Sequence, residues 1–381
     1  MRILVAQNVP HNRLGGMSRM LGFLHDYVEN DGHTVEFFTA ECVPAGLNKR
    51  WARFAFPWLL WRHAVREAKA GRPFDVVNVH EPSGAFLALG KKAAGQPFLV
   101  VTSHGVEDRS WAVALDDARL GRIDLSTKTR LWHPLTLLTQ ARTTLRGADH
   151  IFCLNEEDRD FLKARYLLPA GRITRLFPAA ATAYLDVYQR RDYSKAERVL
   201  VFGTWLPRKG ATDIVTAFEM LADHRPELRL LLIGTGFPPE SVAKWFPAHL
   251  RPRLEFVEGG SEAELATHML KAAVYWIPSL FEGTPQTLME AMATGLPAVG
   301  AATCGMKDVI KNGVNGVLVG PRDAAGLATA TDRLLMSGVL RQQLGEHAHA
   351  DIAQHYTWDR VAQPVLDVYR ALAQRRYACA F

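Results

Sequence analysis

Residues 278–300 read P-S-L-F-E-G-T-P-Q-T-L-M-E-A-M-A-T-G-L-P-A-V-G, a turn, a helix and the start of a strand in succession. The apolar run Ala272 to Ile277 just ahead of it has the length and composition of a buried strand. Glu282-Gly283 then makes a tight turn, and Thr284-Pro285 is a helix start. A hydroxyl at the N-cap satisfies an orphan N–H, and proline at the first helical position needs no partner. Gly295 lacks a Cβ and so permits the left-handed residue that ends a helix, after which Leu296 to Val299 resumes as a strand. Strand, turn, helix, strand is the repeating unit of a doubly wound parallel sheet.

The chemistry follows from that geometry. The N–H groups of Gln286, Thr287 and Leu288 point out of the helix N-terminus, where the macrodipole concentrates positive charge, so the turn Gly283-Thr284-Pro285 and the helix start suit a phosphate or diphosphate. Glu282 lies in the turn at the carboxyl edge of the sheet, and Glu290 in the second helical turn. Carboxylates beside an anion site accept hydrogen bonds from hydroxyls attached to the anion, such as a ribose and a sugar. That describes a nucleotide-sugar pocket. A competing reading stands level with it: Glu290 as a solvated helix-face residue and Glu282 as an ordinary turn acid, since such anion sites occur in many α/β folds.

Length and composition narrow the class. A chain of 381 residues suggests two domains, and 48% apolar with 22% charged residues excludes a disordered chain. The net charge of +6 belongs to residues 1–175, which hold 24 Lys/Arg against 18 Asp/Glu, while the remainder is balanced. This points to an anionic partner of the first half, a membrane surface or a phosphorylated acceptor, or to surface charge kept for solubility. Cys42, Cys153, Cys304 and Cys379 form no C-x-x-C pair, so neither a zinc site nor a disulfide scaffold is indicated, and the reducing cytoplasm is the expected compartment. M-R-I-L-V-A-Q reads as a strand rather than a signal peptide, and no apolar run approaches the ~18 residues of a membrane span.

Strands are predicted at Arg2–Gln7, His33–Thr39, Phe74–Val79, Phe98–Thr102 and His150–Leu154, with helices at Met17–Asn30, Gly84–Ala94, Thr127–Leu145 and Glu156–Tyr166. Residues 178–197 break the rhythm as a connection. It restarts with strands at Arg198–Phe202, Arg229–Ile233, Leu254–Val257, Val274–Ile277, Pro297–Val299 and Gly316–Val319, and with a capping box at Ser261 and Glu264. Two doubly wound domains in series are expected, the carboxyl ends of both sheets lining one cleft.

Further constellations sit at strand ends. Phe202 to Gly210, F-G-T-W-L-P-R-K-G, places Arg208 and Lys209 where they could neutralise a diphosphate, or simply start a solvated helix. Gly15-Gly16 follows the first strand and lets backbone approach a ligand, or is a plain loop; His104-Gly105 ends the strand Phe98–Thr102 on the cleft side by the carboxyl-end rule, as a ligand contact or a structural histidine. Asp158-Arg159-Asp160 has metal-motif spacing, but residues i and i+2 of a helix point apart, so no metal is assigned.

Together with S-H-G, L-L-I-G-T-G, A-M-A-T-G-L-P-A-V, N-G-V-N-G-V-L-V at 312–319 and Y-T-W-D-R at 356–360, these motifs resemble glycosyltransferase family 4 over nearly the whole chain. The resemblance implies a GT-B fold of two Rossmann-like domains: residues 1–177 for the acceptor, 178–357 for the nucleotide-sugar, and 358–381 as a helix crossing back. It implies that Glu290 binds ribose hydroxyls, that Glu282 meets the donor sugar, that Lys209 holds the diphosphate, that His104 contacts the sugar and that Gly16 approaches phosphates or acceptor. It further implies retention of anomeric configuration without metal or cofactor, a UDP- or GDP-sugar being the co-substrate. Two departures stand out: the usual G-R-L opening reads Gly203-Thr204-Trp205, leaving Arg208 to substitute for the Arg replaced by Thr204, and the interdomain P-N-G reads Pro178-Ala179-Ala180. The expected activity is transfer to an acceptor hydroxyl in cell-surface polysaccharide or lipid-linked glycan synthesis, with a scaffold that binds nucleotide-sugar or a partner without transfer as the alternative.

Residues 49–72 carry one more expectation. Pro57 is read as a helix start, after which Trp58, Trp61, Val65 and Ala68 recur at spacings of three and four, among seven Lys/Arg and one Glu. Tryptophan flanked by cations suits an interfacial helix at an anionic membrane; the competing reading packs the stripe on the sheet, and both hold if Trp51, Phe54 and Phe56, ahead of Pro57, form the exposed part.

Overall fold

The computed structural model describes residues 1–9, 16–44, 46–47, 49–90, 96–195 and 197–378. The chain forms two compact units, one of Met1–Ala112, Asp124–Phe177 and Trp358–Phe381, the other of Val113–Ile123 and Pro178–Thr357. Residues 113–123, expected in the first domain, group with the second. Their ion pairs explain it: Arg122 Nη2 lies 2.7 Å from Asp213 Oδ2, and Arg322 Nε 2.7 Å from the buried Asp117 Oδ1.

The first unit holds a six-stranded sheet of β1 (Arg2–Ala6), β2 (Thr34–Phe38), β3 (Val76–His80), β4 (Phe98–Ser103), β5 (His150–Cys153) and β6 (Ile173–Arg175), in the order β2-β1-β3-β4-β5-β6. All pairings are parallel. Every residue of β3 is buried, as a strand covered on both faces requires. Its core gathers Leu4, Phe56, Phe74, Val77, Val101 and Leu145. The helix Trp358–Ala378 belongs to this unit: Asn78 Nδ2 donates to the buried Tyr369 hydroxyl at 2.8 Å. Strand β6 was not predicted, because three residues carry no readable period.

The second sheet comprises β7 (Arg198–Phe202), β8 (Arg229–Ile233), β9 (Leu254–Val257), β10 (Val274–Ile277), β11 (Ala298–Ala301) and β12 (Val317–Val319), in the order β12-β11-β10-β7-β8-β9, again parallel. Val199, Phe218, Leu230, Leu232, Val274 and Trp276 fill its core. The capping box is present in both halves: Ser261 Oγ accepts from Glu264 N–H, and Glu264 Oε2 from Ser261 N–H at 2.8 Å.

The predicted helix Thr127–Leu145 is a helix Thr127–His133, a π-helical turn Pro134–Leu138 and a helix Thr139–Gly147. Of Gly84–Ala94, only Ala85–Leu89 is helical among the described residues. The basic segment departs furthest from expectation: its helix runs Lys49–Lys69 with Pro57 inside, not at its start. The earlier start moves the inward face to Phe56, Leu60, Ala64 and Glu67, which are buried, Glu67 being held by Arg2 Nη2 at 2.9 Å. Phe56, expected outside, is therefore core, whereas Trp51 and Trp58 face solvent at 62% and 40% exposure, and of the Trp58 stripe it is the half-buried Trp61 that packs against the core, while Ala68 is exposed.

Candidate active site

In the second sheet the chain moves outward from β7 through β8 and β9, and from β10 through β11 and β12 on the other side. The loops leaving β7 and β10 therefore diverge, and a crevice opens at the carboxyl ends of those two neighbours. Residues 203–210 and 278–285 border it. The two loops are bound together: Leu280 N–H donates to Arg208 C=O at 2.8 Å, and Arg208 Nη1 to Phe281 C=O at 3.1 Å. Gly210, at φ +81°, approaches β10's end so closely that a Cβ would meet Pro278 O at 2.4 Å, which is why glycine ends R-K-G.

Charges converge on Glu282. Lys209 Nζ forms an ion pair with Glu282 Oε1, Arg208 Nη1 lies 3.5 Å from the same oxygen, and Ser279 Oγ donates to it at 3.3 Å. The residues assigned separately to phosphate and sugar thus hold each other. Gly203, at φ +138°, sits beside the Lys209 amine, and Thr204 is exposed against Gly236 of the L-L-I-G-T-G loop. Phe202, Gly203, Thr204, Lys209, Tyr275 and Ser279 line one recess.

The helix runs Gln286–Ala293, one residue later than predicted, with Pro285 rather than Thr284 at its N-cap and no side-chain cap. Thr284 is instead buried beneath Gly305, whose N–H donates to Gly283 C=O at 2.9 Å. The Leu288 N–H donates to Pro285 C=O at 3.1 Å, so it is not available to an anion as expected, and the outward N–H groups are those of Gln286 and Thr287. Gln286 Nε2 donates to Ala179 C=O at 2.6 Å, tying the helix start to the segment that replaces P-N-G, and the Thr287 hydroxyl bonds the Tyr275 hydroxyl at 2.7 Å. Glu290 is fully buried, which excludes the solvated-face reading. Burial pushes the Tyr275 phenol up, the Thr287 bond opposes, and the fields of Glu282 and Glu290 add to the rise.

In the first unit, His104 follows β4 and bonds His80, the last residue of β3, with 2.8 Å from Nε2 to Nδ1 and ring centroids 4.6 Å apart. Burial pushes His104 down to about 4 and His80 well below the usual range, so both are neutral at pH 7 and interact by hydrogen bonding rather than charge. Next to His80, Glu81 is pushed up to about 8 by burial, against the bonds it accepts from Ser103 Oγ at 2.7 Å and Glu107 N–H at 3.2 Å. Gly16 opens the helix Gly16–Asn30; Gly15 lies outside the described residues. Sequence reasoning missed Ser279, His80 and Glu81, although the carboxyl-end rule that selected His104 applies to each neighbouring strand end, and it missed Tyr275, which lies within β10. Asp158 is buried on Arg109, 2.6 Å away, while Asp160 is exposed, so the two do not converge, and among the described residues no three His, Cys, Asp or Glu are placed to hold a metal.

Residues 14–182 match the model of Glycosyltransferase Family 4, and residues 189–351 that of Glycosyl transferases group 1. The chain belongs to glycosyltransferase family 4. A similar protein is the phosphatidyl-myo-inositol mannosyltransferase of Mycobacterium leprae, 26% identical over 343 residues, which covers 87% of this chain and 82% of the relative. Sucrose-phosphate synthase from Thermosynechococcus elongatus shares the fold with a TM-score of 0.77 at 20% identity, over 98% of this chain and 99% of the other. Anabaena HepE in complex with UDP-glucose does so with a TM-score of 0.67 at 16% identity, over 97% and 100%. The two parallel sheets are those of the GT-B fold, and this family 4 member is a glycosyltransferase.

Proposed function

We propose that the protein moves a sugar from a UDP- or GDP-sugar to an acceptor hydroxyl with retention, in the synthesis of a cell-surface or lipid-linked glycan, and needs neither metal nor cofactor. The observation that carries this reading is the convergence of Lys209 and Arg208 on Glu282 at the β7/β10 switch point, in the loop that leads into the helix Gln286–Ala293. A diphosphate arriving there competes with Glu282 for Lys209, and the released carboxylate turns to sugar hydroxyls. The N–H groups of Gln286 and Thr287 and the two cations then stabilise charge on the departing nucleotide, while Arg208 stands in for the arginine replaced by Thr204. Glu290 takes the ribose hydroxyls. In the first unit, Gly16 and the neutral His104 meet the ligand as hydrogen-bonding groups.

The mannosyltransferase relative, named for phosphatidyl-myo-inositol, favours a lipid-linked acceptor, and the UDP-glucose complex of HepE favours a nucleotide-sugar donor. No helix of the described residues is long and apolar enough to cross a membrane, so access to a lipid-linked acceptor falls to peripheral contact by residues 49–72 at the inner face of the cell membrane. The test is release of UDP or GDP across a donor panel, with and without lipid acceptors, and the anomeric configuration of the product by NMR. Absence of acceptor-dependent release with every donor overturns the reading.

A further inference from the structure

Within the first unit, the helix Thr127–His133 and the π-helical turn Pro134–Leu138 show two contrasting faces. Leu137, Leu138, Ala141 and Leu145 are buried. The opposite side would ordinarily be polar, yet Leu131, Trp132 and Leu135 stand there at 60%, 49% and 63% exposure. With Lys128 they recur at helical spacings of three and four, forming one outward stripe. Scattered surface leucines are unremarkable, but three large apolar side chains on one helical face mark a docking surface. Its own segment carries one sign of charge: from Leu125 to Ala148 the sequence contains no Asp or Glu, and Lys128 and Arg130 are exposed beside the stripe, while Arg142 is paired with Asp108 of the neighbouring helix. The basic helix Lys49–Lys69 comes near this segment at Arg53. His133, stacked on Trp111 at 4.4 Å, is held down first by burial and then by the nearby charge of Arg53, which is itself exposed, as are Trp51 and Trp58.

We propose that Leu131, Trp132 and Leu135 form a second membrane anchor that inserts into an anionic lipid surface alongside Trp51 and Trp58, with Lys128, Arg130, Arg53 and Arg62 at the headgroups. Charge complementarity selects this occupant: an apolar centre whose own helix carries exposed cations and no acids fits an anionic bilayer, where indole seats at the headgroup boundary and leucine enters the acyl layer. This extends the peripheral contact proposed above to an element that residues 49–72 do not include.

The experiment uses the full chain with phosphatidylglycerol–phosphatidylcholine vesicles and with phosphatidylcholine vesicles. Changing Leu131, Trp132 and Leu135 together to Ser should weaken sedimentation with anionic vesicles by about tenfold or more at both low and high salt, with melting temperature unchanged because the side chains are exposed. Arg53→Glu with Arg62→Glu should weaken it at low salt only. Nitroxide-labelled lipid should quench tryptophan fluorescence in the wild type and less in Trp132→Ser. Wild-type sedimentation by the triple variant overturns the proposal, as does binding that raised salt removes completely. A wild-type dimer that the triple variant converts to monomer, without vesicle binding by either, assigns the stripe to a second copy and also overturns it. Vesicle binding is read without donor, so failure of the transferase reading leaves this outcome independent.

Discussion

Glu282 keeps 11% of its side-chain surface exposed and faces Lys209 and Arg208, whereas Glu290 is enclosed within the second turn of its helix. The two carboxylates should therefore fail differently. In Glu290→Gln the amide keeps the shape but loses the charge; UDP or GDP binding should weaken ten- to hundredfold, since a charged hydrogen bond is worth ~1.5–3 kcal/mol. In Glu282→Gln the Lys209 amine loses its intramolecular partner, so nucleotide binding should hold or tighten while kcat falls about tenfold or more. Calorimetry with UDP and GDP, set beside kcat for each variant, checks both, and wild-type values throughout would remove these residues from the site. Both glutamates were legible in the sequence because they flank a helix start. The Glu282–Lys209 pair was not, because the β7 and β10 loops are distant in sequence and become neighbours only through the crossover order of the sheet.

At the scale of elements, the loop 283–285 is held by Gly305, where an added Cβ would lie 2.3 Å from Thr284 Oγ1 and 2.4 Å from Gly283 O. Gly305→Ala must push that backbone outward, at a cost of ~1–3 kcal/mol. The expected result is a lower melting temperature together with weaker nucleotide binding, and a Gly305→Ala protein with wild-type binding would show that the loop does not shape the site. The helix behind the loop is assigned the phosphate charge, together with Lys209 and Arg208. Turnover should accordingly persist in excess EDTA, and loss restored by magnesium would transfer that role to a metal. The helix Gln286–Ala293 was readable to within one residue, since Gly and Pro punctuate it. The helix Lys49–Lys69 was misphased because Pro57 was given the role proline has at a helix start, when it lies in the interior of a longer helix. The helix Glu107–Arg119 went unread: its first turn is acidic, and Asp117, its one buried residue, serves an ion pair rather than an apolar face.

Across the whole molecule, both parallel sheets were legible because strands buried on two faces appear as apolar runs between helical stretches. The partition of residues 113–123 was not, since it depends on charges that meet only after folding. Folding also creates a pH response that composition does not reveal, and its sign can be worked through group by group. Glu81 rises from an ordinary 4.5 to about 8, so between those values the folded state keeps a proton the unfolded chain has lost, and stability falls as pH rises. His104 and His150 drop from 6.5 to about 4, His150 through burial and then the charge of Arg172; on acidification through that window the unfolded chain takes up protons first, and stability falls as pH drops. Below 6.5 Glu81 opposes these two histidines and His80, which burial also pushes down, and well above it acts without them. The melting temperature should therefore pass through a maximum at about pH 6.5 and decline toward both pH 5 and pH 8. Glu81→Gln carries no titrating proton and can donate to or accept from the same neighbours, so it should flatten the alkaline decline while leaving the acid one. Thermal melts of both proteins at half-unit steps between pH 5 and 9 decide the matter: an alkaline decline equally steep in Glu81→Gln would place its origin elsewhere.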